Sequence, residues 1–231
     1  MSKTVSQLVE EQITRWRLER ARQAEKAART VTQHRHANVI TLTDAYGAGG
    51  TVISKLLGEH LGLPIYNREI VAHIASTTRI RAETVELLDE RALSAVEDYL
   101  TALWHEKNFD RSDYARELAR TITALWGHGP AIFVGHGAGH IVPRQYSLAV
   151  RLTAPRELRV ERIVQTEKLA HGEASRKLQQ KDTERETFIR RLFNAHIDDT
   201  LSYDLVLNTA ALEPTVCAAI IEESWRRKFP M

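Results

Sequence analysis

The stretch Val39-Ile40-Thr41-Leu42-Thr43-Asp44-Ala45-Tyr46-Gly47-Ala48-Gly49-Gly50-Thr51 passes from a β-branched apolar run into a glycine-rich turn. Beyond it, Val52, Ile53, Leu56 and Leu57 recur at helical spacing, which predicts a helix from Thr51 to about Leu61. Strand, glycine turn and helix in that order make a cradle for phosphate. Backbone N–H groups and the positive end of the helix dipole face the anion, and glycines let the backbone approach closely. Set against the pattern G-x-x-x-x-G-K-[ST], the register reads Asp44 to Thr51. Gly49 and Thr51 match. Asp44 stands in place of the first glycine, and Gly50 in place of the lysine. Taken alone, the stretch is read equally well as a tight turn that binds nothing.

Further short apolar runs lie downstream of the glycine turn. Leu63-Pro64-Ile65-Tyr66, Ala131-Ile132-Phe133-Val134, Leu148-Ala149-Val150-Arg151-Leu152 and Tyr203-Asp204-Leu205-Val206-Leu207-Asn208 read as strands. Between them, Asn67 to His128 reads as helical in several pieces. Pro155 opens a helix carrying Leu158, Val160, Ile163 and Val164. Charged helical segments run from Glu173 to Asn194, and a last helix begins near Glu213. Strands alternating with helices predict a parallel sheet covered on both faces, with ligands at the C-terminal strand ends.

Upstream, Lys3 to Arg29 reads as one helix with Val5, Leu8, Val9, Ile13 and Trp16 on one face. That face becomes small at Ala21, Ala24, Ala27 and Ala28. Thr32 to Asn38 then reads as a linker. The expected division is residues 1–37 as N-terminal helix and linker, and 38–231 as the main domain. An isolated helix is marginal in water, so the apolar stripe is expected to pack on its own domain, a second copy or another protein. The Ala-rich face favours a homodimer.

The 231 residues suffice for one substantial core and an appended element. The 43% hydrophobic and 27% charged fractions are those of a globular protein, and a net charge of +2 does not demand a nucleic-acid partner. The N-terminal helix interleaves its basic residues with acids, which also argues against nucleic acid. The one cysteine, Cys217, excludes an intrachain disulfide and is expected as a small buried hydrophobe. The charged N-terminus and the lack of a membrane-length apolar run point to a cytoplasmic protein without a membrane partner. His136 and His140 have the i, i+4 spacing of metal ligands, but no glutamate lies between them and no third ligand is evident. Trp104 and Trp126 sit in helical stretches among leucines and are expected in a core or a dimer seam.

Five stretches in order, from about Asn38 to Trp225, together resemble the cytidylate kinase-like family of the P-loop nucleoside monophosphate kinase superfamily. They are Ile40 to Gly50, Leu61 to Ile70, Ile132 to Ala138, Asp182-Thr183-Glu184-Arg185 and Tyr203 to Thr209. The resemblance implies a three-layer P-loop NTPase α/β fold with about five parallel strands, a helical NMP-binding insertion and a short lid. The N-terminal helix is an extension outside it. It also implies transfer of a phosphoryl group from ATP, with Mg2+, to a pyrimidine monophosphate such as CMP or dCMP. By the same resemblance Gly47, Ala48, Gly49, Gly50 and Thr51 bind the nucleotide phosphates. Thr51 holds the metal, and Arg185 in the lid segment meets the transferred group, with Arg190 and Arg191 assisting.

Arg68, directly after the second strand, and His136, in the glycine turn after the third, are candidates for the acceptor. A solvated helix face accounts for the lid charges as well, and pairing or packing accounts for Arg68 and His136. Three residues depart from the family pattern. Asp44 replaces an arginine, His136 replaces the arginine of a Gly-Arg-Gly turn, and Asn67 replaces an aspartate. A carboxylate at position 44 repels phosphate unless it is paired or coordinates magnesium. The alternative to an enzyme is a pseudokinase, a nucleotide-binding regulatory or assembly module acting through its N-terminal helix.

Overall fold

The computed structural model describes residues 3–27, 37–88, 98–101, 103 and 112–230. Arg29, the linker from Thr32 to His36 and Trp104 lie outside the described residues, as do the side chains of the alanine face from Ala21 onward.

Five strands alternate with helices, as the periodicity predicts. They are β1 (Val39–Asp44), β2 (Ile65–Tyr66), β3 (Ile132–Val134), β4 (Ser147–Thr153) and β5 (Leu205–Asn208). They form one sheet in the order β2-β3-β1-β4-β5. β1 runs parallel to β3, with Ile40 beside Ile132, and parallel to β4, with Ile40 beside Leu148. β4 runs parallel to β5. β2 is shorter than the run from Leu63. Pro64 has no N–H to donate, and it joins the sheet only as acceptor, from Ile132 N at 2.9 Å. The chain leaves β1 toward one edge of the sheet and returns through β4 to the other. The switch point where such sheets bind ligands is therefore the C-terminal end of β1.

Two compact units divide the chain: Asn38–Ile65 with Ala131–Met231, and Met1–Ala37 with Tyr66–Pro130. In the first, α2 (Gly50–Leu61) packs against α9 (Pro214–Lys228) over the strands. Ile40, Leu42, Ile53, Leu57, Ile132, Val150, Leu152 and Ile221 close the core, and Cys217 is buried there as a small hydrophobe. The short α6 (Ala138–Ile141) follows β3, and α7 (Arg156–Glu167) follows β4. α8 (His171–Phe193) lies against α7 through Val160, Ile163, Ala174 and Leu178.

The second unit is helical: α1 (Val5–Ala27), α3 (Arg68–Ser76), α4 (Thr78–Glu86) and α5 (Asp113–Gly127). Asn67 caps α3 by accepting from Ile70 N at 3.0 Å, a role aspartate would fill equally. Part of the α1 stripe is covered within the chain: Val9, Ile13 and Trp16 are buried and α1 packs on α3, whereas Leu8 stays 39% exposed. Trp16 stacks on His128 at 3.8 Å between ring centroids, and His128 Nε2 donates to Thr84 O at 2.7 Å. Burial pushes the His128 pKa down to about 4, against the partial support of that hydrogen bond. Trp126 is buried in α5 and donates through Nε1 to Ala37 O.

Candidate phosphate-binding site

β1 delivers Asp44 to its C-terminal end, and Ala45 N bonds Leu152 O at 2.9 Å, holding the start of the turn on β4. Gly47 and Gly49 take φ of +79° and +88°, a region open to glycine at little steric cost. Gly47 is required on a second count, since a Cβ there would lie 2.9 Å from the Arg159 carbonyl oxygen. Gly49 is the N-cap of α2. It supplies no side-chain cap, and the first turn holds no acidic residue. The first N–H groups of α2 are therefore available to an anion.

Side chains from α7 and α8 fasten the turn. Arg159, only 12% exposed, reaches Asp182 with Nη1 at 2.7 and 3.0 Å, Tyr46 O at 3.2 Å, and Ala154 O through Nε at 3.1 Å. Thr209 Oγ1 donates to Ala48 O at 2.9 Å and is itself held by Arg162 at 2.8 Å. The Tyr46 hydroxyl donates to Glu167, which also pairs with Lys177. Burial, with the Glu167 hydrogen bond adding to it, pushes the Tyr46 phenol up. The hydrogen bonds from Lys177 and then Tyr46 hold Glu167 down.

Asp182 and Arg185, expected in a short lid, lie one turn apart in the middle of the continuous helix α8. Arg185 Nη1 donates to the Asp44 carbonyl and lies 3.2 Å from Asp44 Oδ1, although the two residues are 141 positions apart. Its guanidinium sits 5.5 Å from the centroid of the Tyr46 ring. The carboxylate at position 44 is thus paired, by the residue expected to meet phosphate.

The other sequence candidates are placed differently. Thr51 is exposed on the first turn of α2. Arg190 pairs with Glu186 on an exposed face, and Arg191 is exposed in the last turn of α8. Arg68 opens α3 in the helical unit. His136 is 8% exposed, has φ +54° between two left-handed glycines, and meets Phe188 edge-on at 5.8 Å. A Cβ on Gly137 would lie 2.2 Å from the Phe193 ring, so this turn packs tightly on α8. His140 stacks on Phe193 at 4.8 Å. Its pKa is lowered by burial and then by Arg144.

Arg159, Arg162, Glu167 and Lys177 were not singled out in the sequence. One cue exists for Arg159: it lies near the N-terminus of α7, where the helix dipole disfavours a cation unless an acid answers it.

Among the described residues no group of three or more His, Cys, Asp or Glu side chains can hold a metal ion. A divalent cation at this turn would take the Thr51 hydroxyl and oxygens of the bound anion. The uncapped helix start and the left-handed glycines fit a phosphate chain.

A strand-turn-helix cradle at the central strand of a 2-3-1-4-5 sheet, with an arginine-bearing helix reaching the strand end, defines a P-loop NTPase fold of the kinase type. The sequence profile of the cytidylate kinase-like family matches residues 39–211. The chain belongs to that family. It is 27% identical over 184 residues to the cytidylate kinase of Pyrococcus horikoshii, covering 80% of this chain and 86% of that one. It is 26% identical over 181 residues to the cytidylate kinase of Methanopyrus kandleri, covering 74% and 84%. An uncharacterized protein from Eubacterium ventriosum shares the fold with a TM-score of 0.65 at 15% identity, over 84% of this chain and 99% of that one. No helix among the described residues is long and apolar enough to cross a membrane.

Proposed function

We propose that the protein is a phosphotransferase that passes the γ-phosphoryl group of ATP to a nucleoside monophosphate, with CMP or dCMP as the preferred acceptor. The observation that carries this reading is Arg185, brought from the Asp-x-x-Arg segment of α8 to the end of β1 beside the glycine turn. Phosphoryl transfer demands little covalent chemistry of a protein and a great deal of placed positive charge. MgATP, when bound, supplies the phosphoryl group and the metal. The N–H groups of Gly47, Gly49, Gly50 and Thr51 would hold its phosphates, while Ala48 N is given to Ala45 O at 2.9 Å and keeps the turn closed, and the Thr51 hydroxyl would reach the magnesium. Arg185 would answer the charge on the moving group. An acceptor phosphate oxygen forms the new bond to phosphorus as the bond to the ADP oxygen breaks. The cytidylate kinases among the relatives support the pyrimidine acceptor.

A second reading, a nucleotide binder with little turnover, is favoured by Gly50 at the lysine position and by the buried His136 at the arginine position. Release of ADP, followed in a coupled assay with Mg2+, ATP and CMP, dCMP, UMP or AMP, separates the two. Acceptor-dependent release lost in Arg185→Ala is the expected result. Nucleotide binding by calorimetry without any release selects the second reading.

A further inference from the structure

Gly50 and Asp44 depart from the P-loop pattern at two positions, and the structure joins the two departures. A Cβ built on Gly50 would lie 2.6 Å from Asp44 Oδ2, 2.7 Å from Cγ and 2.8 Å from Cβ. Real Cβ atoms do not approach so closely, so no side chain, lysine included, can leave position 50 while Asp44 keeps its place. The backbone does not ask for glycine there. Gly50 is the first residue of α2 and is not among the positive-φ glycines, and glycine is a poor helix former. The Asp44 side chain, 15% exposed, is turned to Arg185, which is 25% exposed.

Only Nη1 of Arg185 is engaged by Asp44. Among the described residues, Nη2 and Nε have no hydrogen-bond partner. One turn earlier on the same helix Asp182 is anchored by Arg159, which also holds Tyr46 O. The helix is thus pinned to the turn twice, and the second pin leaves most of a guanidinium available.

We propose that Asp44 is a positioning residue that holds Arg185 beside the phosphate turn as the substitute for the P-loop lysine, with Gly50 required because the Asp44 carboxylate occupies the lysine's place. The role of Arg185 rests on the nucleotide-binding reading above; the dependence of Gly50 on Asp44 does not. The charge logic is simple. A carboxylate alone near this turn repels phosphate, whereas a carboxylate that fixes one edge of a guanidinium presents the remaining N–H donors to it.

Two measurements on the full chain test the proposal separately. The first is a thermal-unfolding cycle without nucleotide. Gly50→Ala is expected to lower the Tm of the natural chain. In an Asp44→Gly background it should leave the Tm unchanged or raise it, because alanine favours the helix once the carboxylate is gone. Equal losses in both backgrounds overturn the steric half of the proposal.

The second is MgATP binding by calorimetry. Asp44→Asn, which keeps an oxygen for Arg185, is expected to bind within about threefold of the natural chain. Asp44→Ala should bind about tenfold more weakly, and the double variant with Arg185→Ala no more weakly than Arg185→Ala alone. Asp44→Ala binding as tightly as the natural chain, or strictly additive losses, overturns the positioning role. Failure of the natural chain to bind any nucleotide sinks the functional reading, and the role given to Arg185 with it, while the Tm cycle still decides the dependence of Gly50 on Asp44.

Discussion

Gly47 and Gly49 show how like residues two positions apart answer to different demands. Both have positive φ, but only Gly47 also faces a neighbour, the Arg159 carbonyl, within 2.9 Å of a would-be Cβ; Gly49 has open space. Gly49→Ala should therefore cost about 1 kcal/mol, the price of a left-handed alanine. Gly47→Ala should cost more, on the order of 2–3 kcal/mol, because clash adds to strain. Urea denaturation of the two variants checks the order, and equal losses would show that the contact with Arg159 is unimportant. Arg185→Ala removes a cation that matters most when charge moves. Its kcat is expected to fall by about a few hundredfold, the scale of one lost electrostatic contact to a transition state. ATP affinity should fall far less, which the split between kcat and calorimetric Kd measures.

Helices α7 and α8 act as a strap across the glycine turn, and the strap depends on the Arg159–Asp182 pair. Arg159 is nearly buried, while Asp182 keeps about a third of its surface, 33%. Breaking the pair therefore costs less than for a fully buried one. Arg159→Ala is expected to lose about 2 kcal/mol of stability and to weaken nucleotide binding, because Tyr46 O loses its donor. A variant that unfolds normally and binds MgATP unchanged would show that the strap is incidental.

The α1, α4 and α5 assembly carries a pH dependence of its own. His128 is held neutral, with its pKa lowered from 6.5 to about 4. Between those two values the unfolded chain binds more protons than the folded one. The contribution is complete above pH 6.5 and is lost as pH falls toward 4, on the order of 3 kcal/mol. His140 is shifted in the same direction, so part of the slope persists without His128. Unfolding free energies at pH 7 and pH 5 should converge in His128→Phe relative to the natural chain; an unchanged gap would assign the slope elsewhere.

The chain as a whole divides into two units, with one boundary between Ala37 and Asn38 and two more around residues 66–130. The N-terminal helix belongs with residues 66–130, the segment that the family resemblance reads as the NMP-binding insertion. Its apolar stripe therefore stabilises that unit. Trp16→Ala opens a cavity against His128 and is expected to cost about 3–5 kcal/mol. Limited proteolysis should then cut between residues 66 and 130 at protease levels that leave the natural chain intact. Protection equal to that of the natural chain would mean that the helix contributes little to the unit.

Periodicity within a few residues was enough to find β1, α2, β4 and the helices around them, because side chains two apart on a strand or three and four apart on a helix share a face whatever the rest of the chain does. Proline and charge moved only the ends, shortening β2 at Pro64 and starting β5 at Leu205, after Asp204 had turned its carboxylate to Ala149 N, Arg144 and Lys228. The glycine turn is legible in its own few residues, whereas the Asp182-x-x-Arg185 segment stands out only through the family resemblance. Their meeting is legible in neither way. Arg185 on Asp44, Asp182 on Arg159 and α1 on its own chain depend on which elements the sheet order and the helix packing bring together. A carboxylate that reads as a fault beside a phosphate turn becomes an anchor only once an arginine 141 residues away has been folded against it.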